Sequence, residues 1–167
     1  MIFKYLDENN FYMTFLKEII EIQCGKHYDE RNQQHIKYLK HYIHSLYECS
    51  GVAICVFLNE NTPVGFIYVL HDKGLENVAC MGKKASIPLF AVKVEYRNKG
   101  YGKLLCKEAE KYARQRGAEC LYVDTYDDKE DRGALRFYLN YGFTPVACLP
   151  GVNGINDEGQ VIFYKIL

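Results

Sequence analysis

Arg97, Lys99 and Lys103 bring positive charge into one short stretch, Arg97-Asn98-Lys99-Gly100-Tyr101-Gly102-Lys103, which also holds two glycines. That mixture suits a phosphate. The side chains supply charge, and Gly100 and Gly102 let the backbone approach an anion with no Cβ in the way. For the backbone to contribute, the stretch must open a helix. The first amides of a helix have no internal partner and point outward, and the helix dipole adds about half a positive charge there. Together these make an anion site. The flanking residues fit that placement. Ile87 to Val94 is an apolar run that reads as a buried strand, and Leu105, Ala109 and Tyr112 recur at i, i+4, i+7 as one face of a helix.

The turn is neither of the two commonest nucleotide loops. A dinucleotide fingerprint needs a third glycine where Leu105 stands, and a P-loop needs Ser or Thr where Leu104 stands. The bland reading of the same stretch is a basic turn that caps a helix.

The elements on either side read in order. Met1 to Leu6 forms a first strand. Asn9 or Asn10 caps a helix with Phe11, Phe15, Ile19 and Ile22 on its face, and Gly25 ends it. A second helix runs from about Asp29 to Glu48, with Ile36, Leu39, Ile43 and Leu46 inward. His35, His41 and His44 on it lack carboxylate or cysteine ligands at matching spacing, so no metal site is expected. Val52 to Leu58 and Val64 to Leu70 form a hairpin across Asn59 to Pro63. His71 to Lys84 reads as a long connection. After the phosphate-loop helix, which ends at Gly117, comes the strand Cys120 to Thr125, and the two strands bracketing that helix should lie parallel. An acidic run, Asp127 to Asp131, leads to a short helix from Gly133 to Tyr141 closed by Gly142. Thr144 to Leu149 and Val161 to Ile166 read as a last hairpin, joined by a Gly-rich loop.

Composition narrows the function classes. With 167 residues the chain reads as a single domain, residues 1–167, able to bury a sizeable core. Formal net charge is zero and there is no long basic stripe, so neither nucleic acid nor an anionic membrane surface is expected as a partner. No apolar stretch approaches the length of a membrane span, and Lys4, Asp7 and Glu8 interrupt any apolar start. Seven cysteines without a Cys-x-x-Cys pair suggest neither a zinc ribbon nor a complete disulfide set. Cys55, Cys106 and Cys120 read as small buried hydrophobes, and a reduced, cytoplasmic setting is expected.

Two motifs carry a resemblance. Arg97-x-x-Gly100-x-Gly102 between a strand and a helix is similar to the pyrophosphate loop of the GNAT superfamily of N-acetyltransferases. Ala134-x-x-x-Tyr138-x-x-x-Gly142-Phe143 resembles the second motif of that superfamily, in the expected order and at the expected separation. The resemblance is best from Ile87 to Leu149. It implies an α/β (α+β) fold: a central mixed sheet with a splayed parallel strand pair, flanked by helices. It also implies acetyl-CoA as co-substrate, lying in the splay. The backbone of Phe90, Ala91 and Val92 would hold its pantetheine arm. Arg97, Asn98, Lys99, Gly100, Tyr101, Gly102 and Lys103 would hold its pyrophosphate.

The implied reaction is acetyl transfer to a primary amine by direct attack. A backbone N–H near Val92 would meet the developing oxyanion. Tyr138 would protonate the departing thiolate, a phenol of pKa near 10 being suited to the task; the alternative is a core tyrosine on a face shared with Ala134, Phe137 and Tyr141. Relatives that use a glutamate base on the strand before the loop have it about where Ser86 stands, and Ser86 cannot serve. Asp124, Glu95 or bulk water remain as bases. The superfamily's usual asparagine before the second motif is here Asp131, which leaves its contact with the cofactor open. The acceptor is an amine on a small molecule or a protein, and the chain is expected as a monomer or homodimer. A second reading is a non-catalytic acyl-CoA-binding regulatory module.

Overall fold

The computed structural model describes residues 1–23, 32–71, 83–126, 133–149 and 159–167. Among the described residues seven strands form one sheet: β1 (Ile2–Leu6), β2 (Val52–Phe57), β3 (Pro63–His71), β4 (Lys84–Val92), β5 (Cys120–Tyr126), β6 (Thr144–Leu149) and β7 (Gln160–Ile166). Their spatial order is β1-β2-β3-β4-β5-β7-β6. Every neighbouring pair is antiparallel except β4 and β5. Helices α1 (Glu8–Gln23) and α2 (Gln33–Glu48) pack on one face, and α3 (Tyr101–Gln115) and α4 (Gly133–Tyr141) on the other. No helix among the described residues is long and apolar enough to cross a membrane.

Strand alternation divides the core in two. Ile54 and Val56 point to α3 and α4, whereas Ala53, Cys55 and Phe57 point to α1 and α2. Phe11, Phe15 and Ile19 are fully buried against Phe66 and Tyr68, each worth about 1.5–3 kcal/mol of burial. Leu39, Ile43 and Leu46 anchor α2, while Ile22 and Ile36 are only half-buried.

Several boundaries differ from the sequence reading. Asp7, not Asn9 or Asn10, caps α1: its Oδ1 accepts the Asn10 N–H at 3.0 Å. That bond holds the Asp7 carboxyl below its usual pKa. Asn32 caps α2 by accepting the Gln34 N–H at 2.9 Å; Gly25 and the expected start near Asp29 lie outside the described residues. The strand expected to reach Val94 stops at Val92, and Val94–Tyr96 form a 3-10 turn with Val94 62% exposed. On α3 the row facing the sheet is Leu105, Ala109 and Ala113, at i, i+4, i+8. Tyr112 sits at its border, half-buried beneath the Arg116 guanidinium. Cys55 and Cys106 are buried free thiols, but Cys120 is disulfide-bonded. The connection from 72 to 82, the acidic run Asp127 to Asp131 and the loop at 150–158 lie outside the described residues.

Candidate active site

β4 and β5 pair for only three rungs, from Lys84↔Cys120 to Ser86↔Tyr122. Beyond Ser86, β4 continues along β3 while β5 continues along β7. The cause lies in β4. Tyr68 stands opposite Leu89 and Leu70 opposite Ser86, so one extra residue sits on β4 between them. Pro88, which has no N–H to give a ladder, stands in this bulge. The bulge flips the alternation: Ala85 and Ile87 face α3, but Leu89 packs on the α1 and α2 side. Past it, the edge of β4 that faces β5 has no strand on it among the described residues.

Register decides which backbone groups reach that open edge. Lys93 donates its N–H to Val64 O at 2.9 Å, so Val64 and Lys93 form a hydrogen-bonded pair. Pairs alternate in an antiparallel ladder. Ala91, opposite Phe66, therefore bonds to β3, whereas Phe90 and Val92 turn their N–H and C=O groups outward into the splay. Of the residues singled out from sequence, Ala91 thus does not offer its backbone there. The Val92 carbonyl accepts the Arg97 Nε–H at 3.0 Å, which leaves the Val92 N–H.

The basic stretch follows directly. Asn98 (φ 60°) and Gly100 (φ 88°) take left-handed conformations that turn the chain into α3. No side chain caps that helix, so the amides of Tyr101, Gly102 and Lys103 point outward from its first turn. A Cβ built on Gly100 would meet nothing within 4 Å, so the space before these amides is open to a ligand. Gly102 serves packing as well. A Cβ there would come within 3.0 Å of the Phe137 ring and 3.4 Å of Phe90, so this glycine lets α4 and β4 close on α3. The charges are braced as well. Arg97 holds Val92, and Lys99 donates to the Glu95 carbonyl at 2.8 Å with its Nζ 5.5 Å from the Tyr96 ring. Lys103 is exposed on the first turn.

Tyr138 lies on α4 with 5% of its surface exposed. Its ring packs on Phe90, Phe137, Phe143 and Phe163, with centroids 5.5–6.3 Å apart. Phe137 and Tyr141 flank it half-buried, but Ala134, expected on the same face, is exposed. Burial pushes the Tyr138 phenol well above the ordinary phenol range, and the neighbouring Cys106 thiol and Asp124 carboxylate add to that. It is a hydrogen-bond donor at any physiological pH.

Of the candidate acids, Glu95 lies in the exposed turn before the loop, while Asp124 is exposed on β5 and electrostatically coupled to Tyr138. Gln160 donates to Asp124 Oδ2 at 2.6 Å. The Tyr122 hydroxyl is hydrogen-bonded to Ser86 across the last parallel rung. Gln160 carries no motif and was not legible in the sequence; Phe137 was, as part of the second motif. An apolar groove lined by Leu135, Leu139, Pro145 and Phe163 lies between α4 and the β6–β7 pair. It belongs to the α3 and α4 side of the sheet.

Buried ion pairs hold these parts in place. Glu110 of α3 binds Lys165 of β7 at 2.6 Å, and the Lys165 ammonium lies 4.2 Å from the Tyr141 ring of α4. Glu18 of α1 meets Lys93, the residue after β4, at 3.4 Å. Among the described residues no cluster of His, Cys, Asp and Glu could hold a metal.

Known proteins share this architecture. The structure of an aminoglycoside 6'-N-acetyltransferase complexed with coenzyme A matches with a TM-score of 0.72 at 18% identity, over 99% of this chain and 97% of that one. The NatC complex bound to Gag peptide and CoA matches with 0.67 at 20% identity, over 99% and 98%. A ribosomal-protein-alanine N-acetyltransferase from Brucella melitensis matches with 0.71 at 13% identity, over the full length of both chains. At such identities these likenesses establish the fold. No curated protein matches the chain in sequence. The pattern of the Acetyltransferase (GNAT) family matches residues 16–143, which span the strand, the basic loop and the second motif described above. With that match over most of its length, the chain belongs to the GNAT family of acetyltransferases.

Proposed function

We propose that the protein transfers an acetyl group from acetyl-CoA to a primary amine. The observation that carries this reading is the continuity of the open β4 edge with the outward amides of α3. One strand edge presents Phe90 and Val92, and one helix start presents Tyr101 to Lys103, joined by a turn where, among the described residues, a Cβ on Gly100 would meet nothing within 4 Å. A pantetheine arm needs the first and a pyrophosphate the second. Lys103, Arg97 and the loop of Asn98, Lys99 and Gly100 add charge around the phosphates. Acetyl-CoA supplies the activated acetyl thioester.

The remaining chemistry asks little of the side chains. The amine must shed one proton, reaching its neutral form. Its nitrogen then attacks the thioester carbon, the C–S bond breaks, and a second amine proton is lost as the amide forms. The sulfur takes up one proton, giving CoA thiol. The Val92 N–H would meet the oxyanion, and Tyr138 donates its hydroxyl hydrogen to the departing sulfur, the phenolate being reprotonated through solvent by the second proton the amine sheds. The four free cysteines among the described residues suit a reducing, cytoplasmic setting, though the Cys120 disulfide does not.

The test is calorimetry with acetyl-CoA followed by CoA-thiol release with a panel of amines. Binding with turnover is expected. Binding without turnover on any amine would point to an acyl-CoA-binding module instead, and no binding would remove the reading.

A further inference from the structure

The aim of the Val92 N–H depends on how the last residues of β4 are held. Past the bulge, β3 pairs with one edge of β4 and the other edge faces the splay. Ala91, paired with Phe66, turns its C=O to β3, and a trans peptide then sends the Val92 N–H the opposite way. On the other side of Val92, the Lys93 N–H bonds Val64 O at 2.9 Å. Gly65 stands opposite Val92, and a Cβ on it would come within 2.6 Å of Ala91 O and 3.0 Å of the Val92 Cα. The two backbones close on each other here. The direction of the Val92 N–H therefore follows from where Ala91 and Lys93 are fixed.

Lys93 is fixed twice. Its backbone bonds to β3, and its side chain crosses to α1, where Nζ lies 3.4 Å from Glu18 Oε1 and 5.6 Å from the centre of the Phe15 ring. The pair is largely out of water: the Glu18 side chain is 9% exposed and that of Lys93 21%. α1 is shaped for this contact. Phe15 leaves helical geometry (φ −124°, ψ 19°), so the helix bends one turn before Glu18. The Phe15 ring in turn packs on Phe66, the strand partner of Ala91, with centroids 4.9 Å apart. Kink, ring and ion pair converge on the two residues that flank Val92.

Stability is a poor account of such a pair. Apolar side chains of similar volume usually serve a buried site as well or better, because both charges must leave water. What the pair adds is one defined arrangement. We propose that Glu18 is a positioning residue for acetyl transfer: through Lys93 it fixes the end of β4 and so aims the Val92 N–H at the developing oxyanion. This rests on the acetyltransferase reading and supplies the residues that hold its oxyanion donor. Such a donor contributes about 10²- to 10³-fold in kcat when it lies about 3 Å from the oxyanion, and a displacement of about 1 Å can cost about 10²-fold.

The experiment uses the full chain, acetyl-CoA and the amine that the wild type acetylates fastest. Glu18→Gln, which keeps the shape of the side chain, and the apolar double substitution Glu18→Met with Lys93→Met should each lower kcat about tenfold or more. The acetyl-CoA Kd should stay within about threefold, because the amides of α3 hold the pyrophosphate. The double variant should melt within about 3 °C of wild type. Lys93→Arg, which keeps a cation for Glu18, should lose less than about threefold in kcat, whereas Lys93→Met alone should lose about tenfold or more. A double variant that melts like wild type and keeps kcat within about threefold would overturn the proposal and leave the transferase reading standing. So would equal losses in Lys93→Arg and Lys93→Met, or losses of kcat that simply follow the melting temperature across the set. A wild type that binds acetyl-CoA yet acetylates no amine would overturn the transferase reading and this proposal with it.

Discussion

Replacing Tyr138 by Phe removes one hydroxyl and leaves the ring among Phe90, Phe137, Phe143 and Phe163. The structure separates what this should do to stability from what it should do to rate. The substitution takes away one polar atom, and the packed ring stays. The change in stability should be within about 1 kcal/mol, a shift in Tm of at most about 2–4 °C for a chain of this size. The rate should respond differently. A donor to the departing sulfur contributes about 10²- to 10⁴-fold, or about 2.7–5.4 kcal/mol of barrier. The loss should appear in kcat, with acetyl-CoA affinity nearly unchanged, because the loop and strand contacts lie on other elements. The pH dependence gives a further check. Burial raises the native pKa of Tyr138 above its unfolded value. Its protonated native form is therefore fully favoured below the unfolded pKa near 10, and stability is lost as pH rises above that value. The variant should lose less stability than wild type between pH 8 and 11, as urea titration at both pH values would read. A Tyr138→Phe enzyme with kcat within about threefold of wild type would refute the donor role. So would a loss of activity that merely tracks a large fall in Tm.

Gly102→Glu should abolish acetyl-CoA binding. It drives a Cβ to within 3.0 Å of the Phe137 ring and so displaces the first turn of α3, whose amides would meet the phosphates; a folded variant titrating with wild-type affinity in a calorimeter would remove the loop from the binding site. Glu110→Gln leaves the Lys165 ammonium without its charged partner in a partly buried place, at a cost of about 1–3 kcal/mol read by urea unfolding. Because Lys165 also lies against Tyr141, one turn from Tyr138, kcat should fall with it while the acetyl-CoA Kd holds; unchanged stability and kcat would mean that this pair does not fix α4.

Local signals carried much of this protein into view. The 3.6-residue spacing on α1, α2 and α3, the β-branched runs of β2 and β3 and the glycines after α3 and α4 each act over one or two turns, so one chain suffices to read them. The two motifs were equally local, which is why Gly100, Tyr138 and their order along the chain were legible. What the sequence could not reveal depends on register and on contacts between distant elements. The bulge at Pro88 decides that Phe90 and Val92, but not Ala91, face the splay, and only pairing with β3 creates that bulge. Gly102 looked like a phosphate glycine by spacing, yet its missing Cβ makes room for Phe137, some 35 residues further along. Asp7 won the cap of α1 over two asparagines because the chain turns out of β1 at that residue. Asp124 was one acid among several in the sequence; its pairing with β7 set it beside Gln160, a residue with no motif at all. Strand alternation and helix periodicity say which residues share a face, but only the tertiary structure decides which faces meet, because those contacts join segments that no local interaction links.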